Sequence, residues 1–197
     1  PLNLAERAEM AAFSARQENI LLTSIPNGFP TESTVITSRY GPRIHPVTKV
    51  RHFHNGVDIR AKGHVPVYAT ADGIVRAADH SRLSGNRVVV RHNFGFESYY
   101  AHLHKLQATP GDVVRKGDVI GLSGNSGQSA GPHLHYEIRY LGKPLNPSAF
   151  LDWRFGSHEI FTQVEEVKWP SLLSLINQRI THPMFQLSLL DPASKEP

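Results

Sequence analysis

The stretch SGNSGQSAGPHLHYEIRY, residues 123–140, decides how the rest of this chain is interpreted. Its first half consists of small, turn-forming residues, and its second half alternates polar and apolar side chains. Residues two positions apart in a β-strand lie on the same face of a sheet. His133 and His135 are therefore predicted to project side by side, with Leu134 on the opposite face. Two such imidazoles can bind one divalent metal ion, or one can bind metal while the other transfers protons.

A second pair of candidate ligands lies upstream, in HNGVD at residues 54–58. The spacing brings the side chains of His54 and Asp58 together on a helical turn or across a tight turn. Asn55 and Gly56 favour the tight turn. Imidazole and carboxylate are both zinc ligands, and a set of two histidines and one aspartate leaves a fourth position for water, as catalytic zinc sites do. Each pattern taken alone is equally typical of polar residues on a wet surface.

In sequence order, these motifs resemble the M23 family of zinc endopeptidases, the lysostaphin/LytM type. The resemblance covers about Pro30 to Trp153. Its motifs are TSRYGPRIHP (37–46), HNGVDI (54–59), ADGIV (71–75), SYYAHL (98–103), GDVVRKGDVIG (111–121) and GPHLH (131–135). Ala130 departs from the family pattern, because many relatives carry a hydroxyl residue there, but it is not a ligand position.

The resemblance implies that His54, Asp58 and His135 hold one Zn²⁺ per chain, and that His102 and His133 are an unliganded catalytic pair. Zinc lowers the pKa of its bound water to about 7. A neutral histidine can then take a proton as water attacks a peptide carbonyl, while a second one stabilises the oxyanion or protonates the leaving amine. Either histidine of the pair can be the base.

Three further residues are candidate contacts to substrate or transition state, namely Arg43, Tyr100 and His104. His104 is predicted to share a strand face with His102 if that strand continues. The remaining histidines are interpreted as surface or turn residues; they are His45, His52, His64, His80, His92, His158 and His182.

The region from Thr31 to Trp153 reads as short strands separated by turns containing glycine or proline. The predicted strands include residues 73–77, 87–91, 96–101, 118–120 and 134–140. Closely spaced strands of this kind predict a mostly β fold, with an antiparallel sheet or a barrel-like LytM-type domain. We expect no long helix within it.

Composition changes at both ends of this region and predicts three segments. Residues 1–30 are interpreted as an N-terminal helix and linker, 31–156 as the peptidase domain, and 157–197 as an extension with one short helix after Trp169-Pro170. Both extensions have an apolar stripe, which is expected to be buried against another surface. We expect at least one to pack against the domain and narrow access to its groove, or to serve as an envelope anchor or a site for a regulatory partner.

The overall composition excludes several classes of protein. There is no cysteine, which excludes disulfides and thiolate ligands, and no apolar run approaches a membrane span of about 20 residues. The net charge of +4 is spread without a block of Lys or Arg, so nucleic acid is not expected, whereas a polyanionic surface such as a cell wall is a permissible partner. Because the first residue is Pro, we expect a signal or anchor upstream.

The predicted function is hydrolysis of peptide cross-links in bacterial peptidoglycan. The helix-plus-linker entry resembles M23 proteins of Gram-negative envelopes, which implies a periplasmic D,D-endopeptidase acting on the bond between D-alanine and meso-diaminopimelate. Glycyl-glycine endopeptidase activity is the alternative within the family. A catalytically silent scaffold that binds cell wall or activates an amidase, and a zinc deacetylase or amidase of another fold, are alternatives of other classes.

Overall fold

A computed structural model describes residues 4–44 and 49–181. Its helices are α1 (Leu4–Ser24), a 3-10 turn (Asn93–Gly95), α2 (Ser148–Leu151), α3 (Ile160–Gln163) and α4 (Trp169–Thr181). Its strands are β1 (Ile36–Ser38), β2 (Gly41–Ile44), β3 (Arg51–His54), β4 (Val57–Arg60), β5 (Pro66–Tyr68), β6 (Gly73–Ser81), β7 (Gly85–Arg91), β8 (Phe96–Leu106), β9 (Val113–Val114), β10 (Val119–Ser123), β11 (His133–Tyr140) and β12 (Lys143–Leu145).

The strands form one large sheet and a separate ribbon. The large sheet runs in the order β1-β4-β11-β8-β7-β6-β9, with β10 joined to β8 and β5, and β12 joined to β11. Within residues 4–44 and 49–181, strands β2 and β3 pair only with each other. Every pairing in the described residues is antiparallel. The predicted mostly β, antiparallel fold is confirmed. The alternative of a barrel is not, because β1 and β9, at the two ends of the path, do not pair with each other in the described part of the chain.

Strand alternation separates a buried face from a face that carries the polar motifs. On β11, Leu134, Tyr136 and Ile138 are fully buried, whereas His133 and His135 lie on the other face. The core face continues on β8, where it contains Phe96, Ser98 and Tyr100. The central pair of strands therefore has an apolar underside, and its upper face is available for chemistry.

A hydrogen-bonded network of polar side chains crosses this core. The hydroxyl of Thr70 lies 3.0 Å from that of Tyr100 and 2.8 Å from that of Tyr136. Ser98 is hydrogen-bonded to Tyr100 at 2.9 Å, and Nε2 of His92 lies 2.6 Å from Oγ of Ser98. Nδ1 of His92 donates to the carbonyl of Asp72 at 2.8 Å. The interpretation of His92 as a surface residue is wrong, because it completes this network and is only 6% exposed.

Acid is expected to destabilise the protein through His92. Burial lowers the pKa of His92 to about 4, whereas a histidine in the unfolded chain titrates near pH 6.5. As the pH falls from about 6.5 to 4, His92 becomes protonated in the unfolded state but stays neutral in the folded state. The free energy of unfolding should fall by about 3 kcal/mol over this range from His92 alone.

Urea unfolding of the metal-free protein at pH 7 and pH 4.5 measures this effect. His92→Gln should be less stable at pH 7 but should lose less stability on acidification than the parent protein. His80→Gln serves as the control, since His80 is exposed and its ring is hydrogen-bonded to Asn86 on the surface. Equal acid sensitivity of the parent and His92→Gln would contradict the assignment.

The residues that directly flank the predicted domain, from Leu22 before it and up to Glu166 after it, belong to the same compact unit as its sheet. Residues 25–30 were predicted as a linker, but Ile25 and Asn27 are buried. The Asn27 side chain donates to the carbonyls of Leu22 and Ile25 at 2.6 and 2.7 Å, and its backbone N–H donates to Thr70. These hydrogen bonds attach the segment to the sheet.

Helix α4 and most of α1 belong to a second compact unit, formed by residues before Leu22 and from Val167 onward. Pro170 stands in the first turn of α4, as the sequence predicts. The predicted apolar face of α4 is present, with Leu172, Ile176 and Ile180 buried. Within this unit, the side-chain amide of Gln17 is hydrogen-bonded to that of Asn177.

Candidate metal and catalytic centre

The chain passes from the ribbon into the large sheet at the HNGVD motif. His54 is the last residue of β3, Asp58 lies in β4, and only Asn55 and Gly56 separate the strands. This confirms the tight connection and excludes the helical turn. A Cβ atom at Gly56 would overlap the carbonyl oxygen of Tyr136 on β11. Glycine is therefore required here, just before β4, where the chain packs against the backbone of β11.

Three side chains from these strands converge on one point. In the register of β4 with β11, Asp58 lies opposite His135. Nε2 of His54, Oδ1 of Asp58 and Nδ1 of His135 are separated by 3.1, 3.0 and 3.0 Å. Donor atoms 2.0–2.1 Å from a tetrahedral zinc would be about 3.3 Å apart. The three donors therefore fit one metal ion with little adjustment, and no other His/Asp/Glu group of the described residues has this geometry.

The hydrogen bonds behind the two histidines leave the correct nitrogen free in each. Nδ1 of His54 lies 2.8 Å from the carbonyl of Arg39, so that nitrogen carries the proton and Nε2 is the free donor atom. His135 has the opposite arrangement, because its Nε2 lies 2.9 Å from Oε1 of Glu137 and its Nδ1 faces the centre. Such outer partners fix the tautomer and orientation of a metal-binding imidazole.

The two buried carboxylates are held in their charged forms. Burial raises the pKa of Asp58, but the neighbouring imidazoles of His135 and His54 stabilise the ionised carboxylate and hold that pKa well below the usual range. Nη1 of Arg43 lies 2.8 Å from the other oxygen, Oδ2. Burial likewise opposes ionisation of Glu137, but His135 and Arg139 lower its pKa. Both carboxylates are therefore ionised at neutral pH without a metal ion, so the centre is preformed for a cation.

Two more imidazoles, those of His102 and His133, lie beside the three donor atoms and make similar hydrogen bonds. The ring centroids of His102 and His133 are 4.8 Å apart. Nδ1 of His102 donates to the carbonyl of Ser126 at 2.8 Å, and Nδ1 of His133 donates to that of Gly131 at 2.8 Å. Nε2 is consequently the free acceptor in both rings. Burial lowers the pKa of His102 to about 4, against the opposing effect of its hydrogen bond to Ser126.

Comparison with known proteins places this arrangement in a family. The sequence profile of peptidase family M23 matches residues 52–147. The catalytic domain of the antimicrobial peptidase lysostaphin from Staphylococcus simulans superposes with a TM-score of 0.56 at 30% identity, covering 60% of this chain and 92% of that domain. The chain belongs to peptidase family M23.

Two further M23-type relatives indicate the range of the similarity. Peptidoglycan DD-endopeptidase ShyA of Vibrio cholerae serotype O1 is 43% identical over 112 residues, which are 56% of this chain and 26% of that protein. A zinc-containing peptidase from Vibrio cholerae has a TM-score of 0.60 at 34% identity, covering 66% of this chain and 40% of that one. The chain spans about a quarter of the length of the first curated relatives it matches.

An open cavity of about 410 Å³ lies over the M23 site. The four histidines and the aspartate described above form its floor. Residues from the β2–β3 ribbon, the β6–β7 turn and the loop before β11 form its rim. The rim residues include Arg43, His52, Phe53, Asn55, Leu83, Ser84, Gln128 and Ser129. Phe53 and Leu83 are 49% and 65% exposed, so the rim offers apolar surface. The cavity therefore combines the polar side chains of the site with exposed apolar side chains.

The structure places two predicted contact residues away from this cavity. Tyr100 is fully buried and its hydroxyl is engaged with Thr70 and Ser98, so the prediction of a substrate contact there is wrong. The neighbouring Tyr99 lines the cavity instead. His104 is exposed and its ring lies against His64, with centroids 3.9 Å apart. It does not share the face of His102, because the strand is irregular between them.

The other predicted contact, Arg43, does line the cavity, and the structure assigns it partners. Besides Asp58, it is hydrogen-bonded to Nε2 of His52 at 3.1 Å and to the hydroxyl of Ser38. His52 is therefore half-buried at the site and not a plain surface residue. His45 and His182 lie outside the described residues.

Glu137 is the site residue that sequence reasoning missed. The sequence contains a signal for this role, because Glu137 lies two residues after His135 and therefore shares its face of β11. It is 5% exposed, and Nε of Arg139 holds its second oxygen at 2.8 Å. The carboxylate thus supports His135 from outside the donor triangle.

Replacing Glu137 with glutamine is expected to weaken metal binding about tenfold or more, because loss of the charge makes His135 a poorer donor. Competition with a chelator measures the affinity. Glu97→Gln is the matched control, since Glu97 lies on β8 and also pairs with an arginine, Arg76, at 2.8 Å, but supports no histidine. Equal affinities in the two variants would contradict the role of Glu137.

Proposed function

We propose that this chain is a zinc metalloendopeptidase that hydrolyses peptide cross-links of bacterial peptidoglycan, with D,D-endopeptidase specificity for the D-alanine to meso-diaminopimelate bond. The observation that carries the proposal is the convergence of three donor atoms, 3.0–3.1 Å apart, beside two imidazoles whose Nε2 atoms are free. A silent scaffold has no need of this complete set.

In the proposed centre, His54, Asp58 and His135 hold the zinc. Neutral imidazoles and a carboxylate are suitable zinc ligands, and the related Vibrio cholerae peptidase is described as containing zinc. A bound zinc ion supplies Lewis acidity and a nucleophile at neutral pH. Arg43 holds Oδ2 of Asp58 and thereby directs Oδ1 toward the two histidines.

His102 and His133 handle protons on the open side of this centre. Each donates its Nδ1 proton to a backbone carbonyl, so each presents a basic Nε2. In this role, one accepts a proton as the peptide carbonyl is attacked, and the other donates a hydrogen bond to the oxyanion or a proton to the leaving amine. Nε2 of His133 lies 3.6 Å from Oδ1 of Asp58, close enough to act beside the donors.

Two unpaired amides are suited to hold the substrate backbone. Asn55 is exposed at the cavity edge next to His54, and Gln128 is half-buried on the opposite loop. Neither side chain has a hydrogen-bond partner within the described part of the chain. A primary amide both donates and accepts, so it can pair with a peptide group of an extended substrate. Asn55 and Gln128 are therefore proposed to hydrogen-bond peptide groups of the substrate.

The choice of bond rests on the relatives. ShyA, at 43% identity, is a peptidoglycan DD-endopeptidase, whereas the lysostaphin domain is 30% identical. A periplasmic location would place the enzyme at that substrate.

Among the described residues, no helix is long and apolar enough to cross a membrane.

Digestion of purified, cross-linked muropeptide dimers tests the proposal. The zinc-loaded chain should convert dimers to monomers with release of a new amine on diaminopimelate, and the chelated chain should not. A pentaglycine peptide is the competing substrate. Intact dimers together with a cleaved pentaglycine peptide would transfer the assignment to glycyl-glycine cleavage, and no cleavage of either by metal-loaded protein would favour a scaffold.

A further inference from the structure

The side chain of His102 lies on the opposite face of β8 from the one that regular alternation predicts. On this strand Ser98 and Tyr100 point into the core, so the next residue on that face should be His102. Instead, Ala101 and His102 both line the cavity, and Leu103 returns to the core. Something must turn His102 toward the metal centre.

The turn is a bulge with a left-handed residue at its centre. His102 has a φ of +61°, a conformation that costs a residue with a Cβ about 1–2 kcal/mol. The pairing of β7 with β8 shifts at the same place, since Asn86 lies opposite Leu103 but Val88 lies opposite Tyr100. One extra residue is thus inserted in β8, and such insertions re-aim side chains. Other contacts must hold the strained residue in place.

Ser126 makes three of the contacts that hold the bulge. Its carbonyl accepts the Nδ1 proton of His102 at 2.8 Å, and its hydroxyl donates to the carbonyl of Leu103 at 2.6 Å. The same hydroxyl accepts the backbone N–H of Asn86 at 2.9 Å. The backbone N–H of His102 adds a bond to the carbonyl of Ser84 at 2.8 Å. Ser126 therefore ties its loop to the start of β7, to the ring of His102 and to the backbone of Leu103.

The packing around Ser126 allows this approach only with glycine beside it. Gly85 has a φ of +61°, and a Cβ atom there would overlap the hydroxyl and backbone of Ser126. A Cβ atom on Gly127 would overlap the backbone of Gly85 in turn. Two glycines thus bring the loop and the turn into backbone contact at the point where Ser126 acts.

We propose that Ser126 is a positioning residue for catalysis: its hydroxyl holds the β8 bulge, and its carbonyl fixes His102 in the tautomer that presents Nε2 to the substrate. The inference rests on the proposed function of His102. Ser126 itself does not line the main cavity, so it acts through His102 and not on the peptide.

Ser126→Ala removes both hydroxyl hydrogen bonds, and misplacement of a catalytic group by about 1 Å can cost about 100-fold in rate. We expect kcat to fall 10- to 100-fold with KM within twofold and zinc content unchanged. Ser126→Thr, which keeps the hydroxyl, should retain most of kcat. Thr162→Ala is the control, because it removes one hydroxyl hydrogen bond, to the carbonyl of Glu159 at 2.9 Å, in α3 and none to β8 or to the residues that hold the bulge.

Nitrogen-15 NMR of the histidine rings supplies a readout independent of turnover. In the metal-free parent, His102 should appear as a single tautomer protonated on Nδ1, and in Ser126→Ala as a mixture. An Nε2-protonated His102 in the parent would overturn the proposal, even if the alanine variant failed to fold. So would an unchanged kcat in Ser126→Ala, or a loss in Ser126→Thr as large as in alanine. If the parent protein cleaves nothing, the proposed function fails while the NMR result still decides the positioning.

Discussion

Asp58→Ala is expected to abolish both metal binding and hydrolysis. Oδ1 of Asp58 lies within 3.1 Å of both histidine donors and is the only charged donor of the triangle. Its removal leaves two imidazoles and also deprives Arg43 of its ion-pair partner, so a positive charge remains beside the metal position. Zinc content should fall from about one per chain to near zero, and turnover by at least about a thousandfold. Metal analysis after dialysis and the muropeptide assay measure the two effects.

Asp79→Ala provides the matched control for this experiment. Asp79 is also an aspartate paired with an arginine, Arg87, at 2.6 Å, but it is half-exposed on β6 and faces no histidine donor. That variant should retain zinc and activity. Parent-like zinc content in Asp58→Ala would refute the donor set.

His133→Ala is expected to separate catalysis from metal binding. The ring of His133 lies next to the donors but outside the triangle that they form. Its loss should leave about one zinc per chain and reduce turnover by about 10²- to 10⁴-fold, the usual contribution of a positioned acid or base. KM should change little, because the ring acts on a proton and not on the rest of the peptide.

Comparison of three variants makes this expectation discriminating. His102→Ala should behave like His133→Ala, whereas His135→Ala should lose the metal like Asp58→Ala. His80→Ala, at an exposed histidine on β6, should change neither quantity. Equal zinc loss in His133→Ala and Asp58→Ala would contradict the division between ligands and catalytic residues.

The sequence by itself determined the features that depend on local periodicity and turn chemistry. Alternation in HLHYEIRY placed His133 and His135 on one face and Leu134 in the core. Asn55-Gly56 predicted the tight connection between His54 and Asp58, and Trp169-Pro170 the start of α4. Each of these follows from neighbouring residues alone, so no knowledge of distant contacts was needed.

Only the tertiary structure decided the surroundings of those residues. The hydroxyl of Tyr100 is held in the core, whereas Tyr99 lines the cavity. His102 faces the cavity and His104 does not share its face, because the bulge at His102 interrupts the alternation that the sequence implies. That bulge is held by Ser84 and Ser126, which are 18 and 24 residues away along the chain.

The same reason explains the other differences. His92 is buried because Ser98 and the carbonyl of Asp72 are its partners, and residues 25–30 are fixed because Asn27 meets Thr70. The donor triangle itself joins His54 to His135 across 81 residues. Residue types identified the candidates for this site, but only the structure shows which of their atoms lie close together. The reason is that long-range hydrogen bonds and packing set the direction of a side chain at a bulge or in a buried contact.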